Sequence, residues 1–469
     1  MNVSNATDFV LTKVWIYPHN NPKKAKPITA LVNVFEYVEN ITYPFLSAKL
    51  NVVDSAGLLN SLPIQGGEKV IVGIESKTFE VKQEYEFRIW TIANRFAQQK
   101  KQVYDLGLIS VEALHNEINR VSKPLSGNPE SIIIDLLKNV LNSQKEVFAE
   151  PSKFETKIVP NRQRPFDLIE NLSLRSVSVK SNYTTTSTSN TSNEQRVQGT
   201  AGFFFWETKR GYNFYSVDSL CADKDSDLKS DKLDATAWGK YVERLGNQED
   251  GDTRFQILES NFDSEVDLIG SLRKGKYSST IVFFNHSTGA YEEYVYKIKD
   301  SYDNMAHLGG QEGITLIPTS EIELSDYPSR LMSIFLDHET WYNESTPASP
   351  DPKDGSTSPS KFADWQKFYA AQSLARYQLL KNQICTVVIP GNPDICAGDK
   401  IDIRLLNKVP QNEGKDEPYD TESSGVYLIG EVAHNYDTTV GPGGKFLTTL
   451  RLMRDSYGLT DRPSQHGTK

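Results

Sequence analysis

From Phe9 to Leu114 the chain sets down one short apolar-alternating segment after another, each closed by turn residues and none separated by a crossover helix. Phe9 to Tyr17 (FVLTKVWIY) is rich in β-branched and aromatic residues and stops at Pro18-His19-Asn20-Asn21. Ile28 to Val38 (ITALVNVFEYV) follows. Leu46, Ala48, Leu50 and Val52 then alternate with Ser47, Lys49 and Asn51, which gives one apolar and one wet face. Asp54-Ser55-Ala56-Gly57 supplies turn chemistry, with a glycine available for positive φ. Val70 to Ile74, Glu84 to Phe96 and Tyr104 to Leu114 complete a set of about six strands. Short strands without crossovers predict an antiparallel sandwich or small barrel over residues 1–112.

The pattern changes after Glu112. Asn128-Pro129-Glu130 places an N-cap, a first-turn proline and an acid before Ile133, Leu136, Leu137, Val140 and Leu141, an apolar stripe at helical spacing. A second short helix is expected from Pro165, with Phe166, Ile169 and Leu172 on one side. Ser181 to Gln195 (SNYTTTSTSNTSNEQ) has too little apolar surface to offset its ordering entropy and reads as an exposed loop. Phe203-Phe204-Phe205-Trp206 runs through Thr208-Lys209-Arg210-Gly211 into Tyr212 to Val217, a hairpin pattern. Residues 113–250 are therefore expected to form a mixed α/β middle domain around the loop 181–195.

Tyr277 to Phe284 and Tyr291 to Ile298 form a further hairpin pattern. Asn343 to Lys361 (NESTPASPDPKDGSTSPSK) has linker composition, and a helix carrying Phe362, Trp365, Phe368, Tyr369, Leu374, Tyr377 and Leu380 is expected after it. A last strand block runs from Cys385 to Met453, before a polar tail.

Two stretches echo one another. Gly66-Gly67-Glu68-Lys69-Val70-Ile71-Val72 leads to Tyr85 through Asn94 and then to a strand from Tyr104 to Ser110. Ala397-Gly398-Asp399-Lys400-Ile401-Asp402-Ile403 leads to Gly425 through Asn435 and then to Lys445 through Leu452. A glycine, an acid and a lysine open a strand in both, and two longer strands follow. The fold class expected is mainly β with some α (α+β): two similar antiparallel β-barrel or sandwich units of tube type and a mixed middle region with helices. The second unit is expected to be discontinuous, residues 251–300 with 383–456, the hairpin Tyr277 to Ile298 supplying its early strands. The insertion 301–382 holds the linker 343–361 and the helix, and 457–469 is the tail.

Composition narrows the function. At 469 residues the chain has length for about three domains, and 38% hydrophobic residues can fill their cores. A net charge of −10 without a long basic run argues against a nucleic-acid reader; Lys23, Lys24 and Lys26 read as a solvated loop. No stretch approaches the ~18 apolar residues of a membrane span. Met1-Asn2-Val3-Ser4-Asn5 lacks the basic start of a signal peptide, so folding in a cytosol is expected. Cys221, Cys385 and Cys396 lack CxxC spacing and paired histidines, so buried free thiols are expected.

The sequence shows none of the spacings that carry catalysis. His19, His115, His286, His307, His338, His434 and His466 are scattered, and His338-Glu339 lacks the second histidine of a zinc helix. Gly270 to Gly275-Lys276 approaches a phosphate loop, but Tyr277 stands where Ser or Thr is required and a strand follows, so a plain turn is expected. Asp223-Lys224-Asp225-Ser226-Asp227 opens like a calcium loop, yet Leu228 replaces the turn glycine and Asp234 the bidentate glutamate, which leaves a solvated acidic loop. No catalytic, cofactor-binding or metal residue is assigned, no cofactor is expected, and a non-enzymatic chain is the expectation.

Several segments in order resemble the tail hub family of contractile-tailed, T-even-like phages, the baseplate hub. They are Tyr43-Pro44-Phe45-Leu46-Ser47-Ala48, Asp54 to Ile64 with Gly66-Gly67-Glu68, Arg164-Pro165-Phe166-Asp167-Leu168-Ile169, Gly202 to Thr208, Gly211-Tyr212-Asn213-Phe214 and Val388-Ile389-Pro390-Gly391-Asn392-Pro393. The resemblance implies a virion baseplate protein, assembled in the host cytoplasm. It implies a homotrimer whose paired barrels make a sixfold ring that meets the tail tube protein, while other domains hold a central spike protein. Baseplate wedge and tape-measure proteins are further partners of this kind, no membrane is involved, and DNA is met only in transit through the channel. The tract Ser181 to Gln195 and the linker before Phe362 depart from the family pattern.

Excess acid is compatible with a lumen that repels DNA phosphates or with an outer surface that is merely well solvated. Rival expectations are a receptor- or glycan-binding tail protein, with Trp341 and Tyr342 stacking on sugars, and a peptidoglycan-cleaving tail enzyme.

Overall fold

The computed structural model describes residues 8–19, 21–62, 64–76, 82–98, 101–179, 201–222, 237–244, 255–264, 267–285, 291–302, 305–309, 323–336, 362–407, 419–440 and 444–458. Its first strands are those the alternation predicts, except that the last ends at Ile109: Val111 to Leu114, expected as strand, are helical. The strands are β1 (Phe9–Tyr17), β2 (Val32–Asn40), β3 (Ser47–Asp54), β4 (Lys69–Ser76), β5 (Lys82–Gln98) and β6 (Lys101–Ile109). In β3 every second residue, Ala48, Leu50, Val52 and Asp54, is buried, so the pleat sets one face on the core. All pairings among these strands are antiparallel, in the order β2-β3-β6-β5-β4-β1. Phe35, Leu50, Val72, Phe87 and Leu106 close a core beneath them.

The middle region carries α1 (Val111–Ile118), α2 (Pro129–Asp135) and α3 (Pro165–Arg175). Pro129 and Pro165 begin their helices as expected, since proline is pre-set for the first turn and the missing N–H is not needed there. Asn128 occupies the N-cap position of α2 without a side-chain cap; its amide reaches Ser152 O at 3.4 Å instead. Phe166, Ile169 and Leu172 pack with Ile133, Leu137 and Phe214 in a separate core. The predicted hairpin forms from β8 (Phe203–Thr208) and β9 (Gly211–Ser216), and the short β7 (Val147–Ala149) adds to β9 in parallel.

A second set of six strands follows: β10 (Ala237–Glu243), β11 (Glu259–Ser264), and, after an insertion, β15 (Gln383–Pro390), β16 (Lys400–Arg404), β17 (Gly425–Asp437) and β18 (Lys445–Arg454). Their sheet order, β11-β15-β18-β17-β16-β10, repeats the order of the first set strand for strand. One pairing breaks the likeness: β10 runs parallel to β16, whereas β1 is antiparallel to β4.

The insertion holds β12 (Ser278–Asn285), β13 (Tyr291–Lys297), β14 (Arg330–Leu336) and helix α4 (Phe362–Leu379). The hairpin expected to begin the second unit is β12–β13, and it pairs instead with β14 in a sheet of its own. Its core takes Ala371, Ala375 and Leu379 of α4 against Ile281 and Tyr296, so this helix packs here through its small residues and Leu379.

The mainly β fold with helices in the middle is thus as expected, but closed barrels are not formed among the described residues. β2 gives its outer edge to β17, and β1 is met by Lys26–Pro27, so the two sets join in one open sheet that, with Lys26–Pro27 and Gln256–Ile257, has 14 strands. No described helix is long and apolar enough to cross a membrane.

Candidate functional site

The repeated strand order comes with a repeated turn. Gly67 donates its N–H to Ile89 O at 2.6 Å and Ile89 donates to Glu68 O at 3.0 Å. Gly398 donates to Ile429 O at 2.8 Å and Ile429 donates to Asp399 O at 2.9 Å. Both glycines have positive φ, +85° and +92°, a conformation a Cβ disfavours. The acid after each glycine is buried and accepts the N–H three residues before it: Gln65 N to Glu68 at 2.8 Å, Cys396 N to Asp399 at 2.9 Å. One residue past the shared isoleucine, at Trp90 and at Gly430, each long strand carries a bulge. A bulge re-aims the rest of the strand, so β5 and β17 both run on past their short neighbours.

In β17 that run is used. Glu431 to Asp437 pairs antiparallel with β2, Glu431 opposite Asn40 and Asp437 opposite Val34. Tyr436, with Phe446 of β18, enters the core of the first set.

A buried carboxylate fastens this junction. Glu39 sits in the core phase of β2 and accepts Tyr37 Oη at 2.6 Å, Lys209 N at 2.8 Å and Ala397 N at 2.9 Å. One side chain thereby ties the first set, the β8–β9 turn and the second set together. Burial pushes the Glu39 carboxyl up, against the pull of those three donors. Arg210 from the same turn forks onto Asp399, with both bonds at 2.9 Å, and Trp206 Nε1 donates to Ala397 O at 2.9 Å.

Two further buried networks brace the middle region. Glu207 accepts Leu46 N at 3.0 Å and the ammonium of Lys145, which also reaches Glu112 at 2.6 Å. Arg376 of α4 is fully buried and binds Asp455 at 2.7 Å and Asp218 at 3.2 Å, while His307 Nδ1 lies 2.8 Å from Asp455. His307 and Arg376 hold the Asp455 carboxyl well below the usual range. Burial outweighs Arg376 at Asp218 and pushes it up to about 6. Each of these groups is locked on protein partners, which is the arrangement of a brace.

The residues singled out in the sequence fall elsewhere. Cys221, Cys385 and Cys396 are buried and form no disulfide, and burial pushes the Cys221 and Cys396 thiols up, which makes them poor nucleophiles. Gly275 has φ +75° in a turn before β12, and buried Lys276 is spent on Asn382. His19 meets Gly66 O at 2.9 Å and His115 meets Leu141 O at 2.6 Å. His286, His338-Glu339, Trp341-Tyr342, His466, Asp223 to Asp234, Ser181 to Gln195, Asn343 to Lys361 and the tail from Leu459 lie outside the described residues. Among the described residues no three His, Cys, Asp or Glu side chains come together as a metal site.

No family model matches the sequence, and no curated protein does. Among solved structures, a tail protein from Neisseria meningitidis aligns over 95% of this chain and 97% of its own, with TM-score 0.50 and 12% identity. The chain has a tail-protein fold. A prophage MuSo2 tail protein from Shewanella oneidensis aligns over 95% and 98% (TM-score 0.46, 8% identity). A prophage tail protein from Listeria monocytogenes aligns over 94% of both chains (TM-score 0.43, 11% identity). Glu39, Glu207 and Arg376 were not singled out in the sequence. For Glu39 a signal existed, since an acid follows Phe35 and Tyr37 on the buried phase of an alternating strand.

Proposed function

We propose that this chain is a structural baseplate hub protein of a contractile phage tail, without catalytic activity. In this reading three copies form a ring, each contributing its two six-stranded units, so that threefold assembly presents a sixfold face to the tail tube. The opposite side holds a threefold spike, and the genome passes through the centre.

The observation that carries this reading is the six-strand unit occurring twice in one strand order, each copy opened by the same glycine-acid turn. Two like units on one chain are what converts threefold into near-sixfold symmetry. The buried braces support it, because a ring under load must not let its units hinge. Mass measurement in solution, followed by imaging of the particles face on, tests it. A trimer with six similar lobes around a hole is expected; a monomer that fails to add to tail tubes would overturn the proposal.

A further inference from the structure

The internal junction has a counterpart that stands open. β17 beyond its bulge is covered by β2, but the matching part of β5, Thr91–Gln98, has β6 on one side and no strand on the other among the described residues. β2 has β3 and β17 as neighbours, but among the described residues its counterpart β11 has β15 alone. The two halves of a second junction are therefore present on one chain, in different six-strand units, and they are not paired with each other among the described residues.

Their surfaces agree with that reading. Trp90 and Phe96 on β5 are 58% and 63% exposed, and Leu258 beside β11 is 43% exposed. In the internal junction the corresponding stretch of β17 buries Val432 and Tyr436. The segment Thr91–Gln98 carries Arg95 and no acid, whereas Glu259–Ser264 carries Glu259 and Asp263 and no base. Exposed strand edges with apolar side chains invite a further strand.

We infer that the free edge of β5 pairs antiparallel with β11 of a second copy of this chain, repeating between subunits the β17–β2 junction found within one. The contact is head-to-tail, so each copy offers one β5 edge and one β11 edge, and repetition closes a ring. The register follows from the internal junction. Tyr436 lies opposite Phe446 on β18 and Phe35 on β2. The matching positions are Ala97, opposite Gln102 on β6, and Ser260, opposite Val387 as Phe35 is opposite Leu50. Ala97 of one copy thus faces Ser260 of the next.

The inference rests on the ring proposed for the assembly, and the test separates the two. Full-length chains carrying Ala97→Cys and Ser260→Cys together are oxidised and run without reductant. Covalent trimers are expected from the double variant, and monomers from either single variant. Phe96→Asp and Leu258→Asp, both at exposed positions, should keep the melting temperature of the free chain while reducing the trimer to monomer. Mixing those two variants should yield dimers and nothing larger, because only one intact edge of each kind remains. A trimer by mass that neither cross-links nor dissociates in these variants overturns the strand pairing and leaves the ring standing. A wild-type chain that stays monomeric and adds no ring to tail tubes overturns both.

Discussion

The imidazole of His434 lies flat against the ring of Tyr37, 5.8 Å between centroids and 5° between planes, across the seam where β17 meets β2. Burial and the nearby Lys209 push this histidine down to about 3, so it is neutral in the assembled seam. An unfolded histidine takes up its proton near pH 6.5. Stability from this group is therefore complete above about pH 6.5 and is lost as the pH falls from there towards 3, by up to about 1.4 kcal/mol per pH unit. His434→Asn should flatten that part of the profile. Denaturant midpoints of both proteins between pH 7 and 4 provide the check, and parallel profiles would count against it.

Removing Glu39 leaves the hydroxyl of Tyr37 and the N–H groups of Lys209 and Ala397 without their acceptor. Glu39→Ala should cost roughly 3–5 kcal/mol, in the range for breaking a buried charged network. Glu39→Gln should cost less, because one carbonyl oxygen survives. Hydrogen exchange should show the loss first along β17 and β2; uniform loosening of the whole chain would contradict a junction role.

Arg376 serves two carboxylates unequally. Asp455 is held low by Arg376 and His307 and accepts Leu308 N at 2.9 Å, whereas Asp218 is pushed up to about 6. Asp455→Asn should thus destabilise by several kcal/mol at pH 7, and Asp218→Asn by clearly less. The sign for Asp218 follows from its raised value: the folded state holds the proton more tightly, so its contribution weakens as pH rises from about 4 to 6. Asp218→Asn should remove that decline. Equal losses from the two substitutions at pH 7 would show that the asymmetry is not real.

Gly398 and Gly67 occupy matching turns but not matching surroundings. A Cβ at Gly398 would stand 2.5 Å from the Trp206 ring, while one at Gly67 would meet the His19 ring at 3.6 Å, an ordinary contact. Both alanines carry a positive-φ penalty of about 1–2 kcal/mol. Gly398→Ala should cost more by a further 1–3 kcal/mol or so, through overpacking. Thermal melts of the two variants side by side decide this, and equal shifts would refute the packing argument.

How much of this could be read from residues alone follows the range of the forces involved. The first six strands, the proline-led helices and the β8–β9 hairpin are local matters of alternation, φ preference and turn chemistry. So is the glycine-acid-lysine echo, since each acid caps its own turn through an amide three residues away. These were open to inspection in the sequence.

Partners were not. Glu39 meets Lys209 and Ala397 across 170 and 358 residues. Nothing in the neighbourhood of β10 and β11 marks them as the opening strands of the second unit, because the insertion separates them from the strands they pair with. The hairpin β12–β13 has the better strand pattern for that place, but periodicity specifies a strand and its buried face without naming its neighbour. Local composition therefore determined that this protein is a β-rich chain with a repeated turn. Only the tertiary structure decided which edges meet and which remain open, because backbone edges pair by position in space and carry almost no residue code.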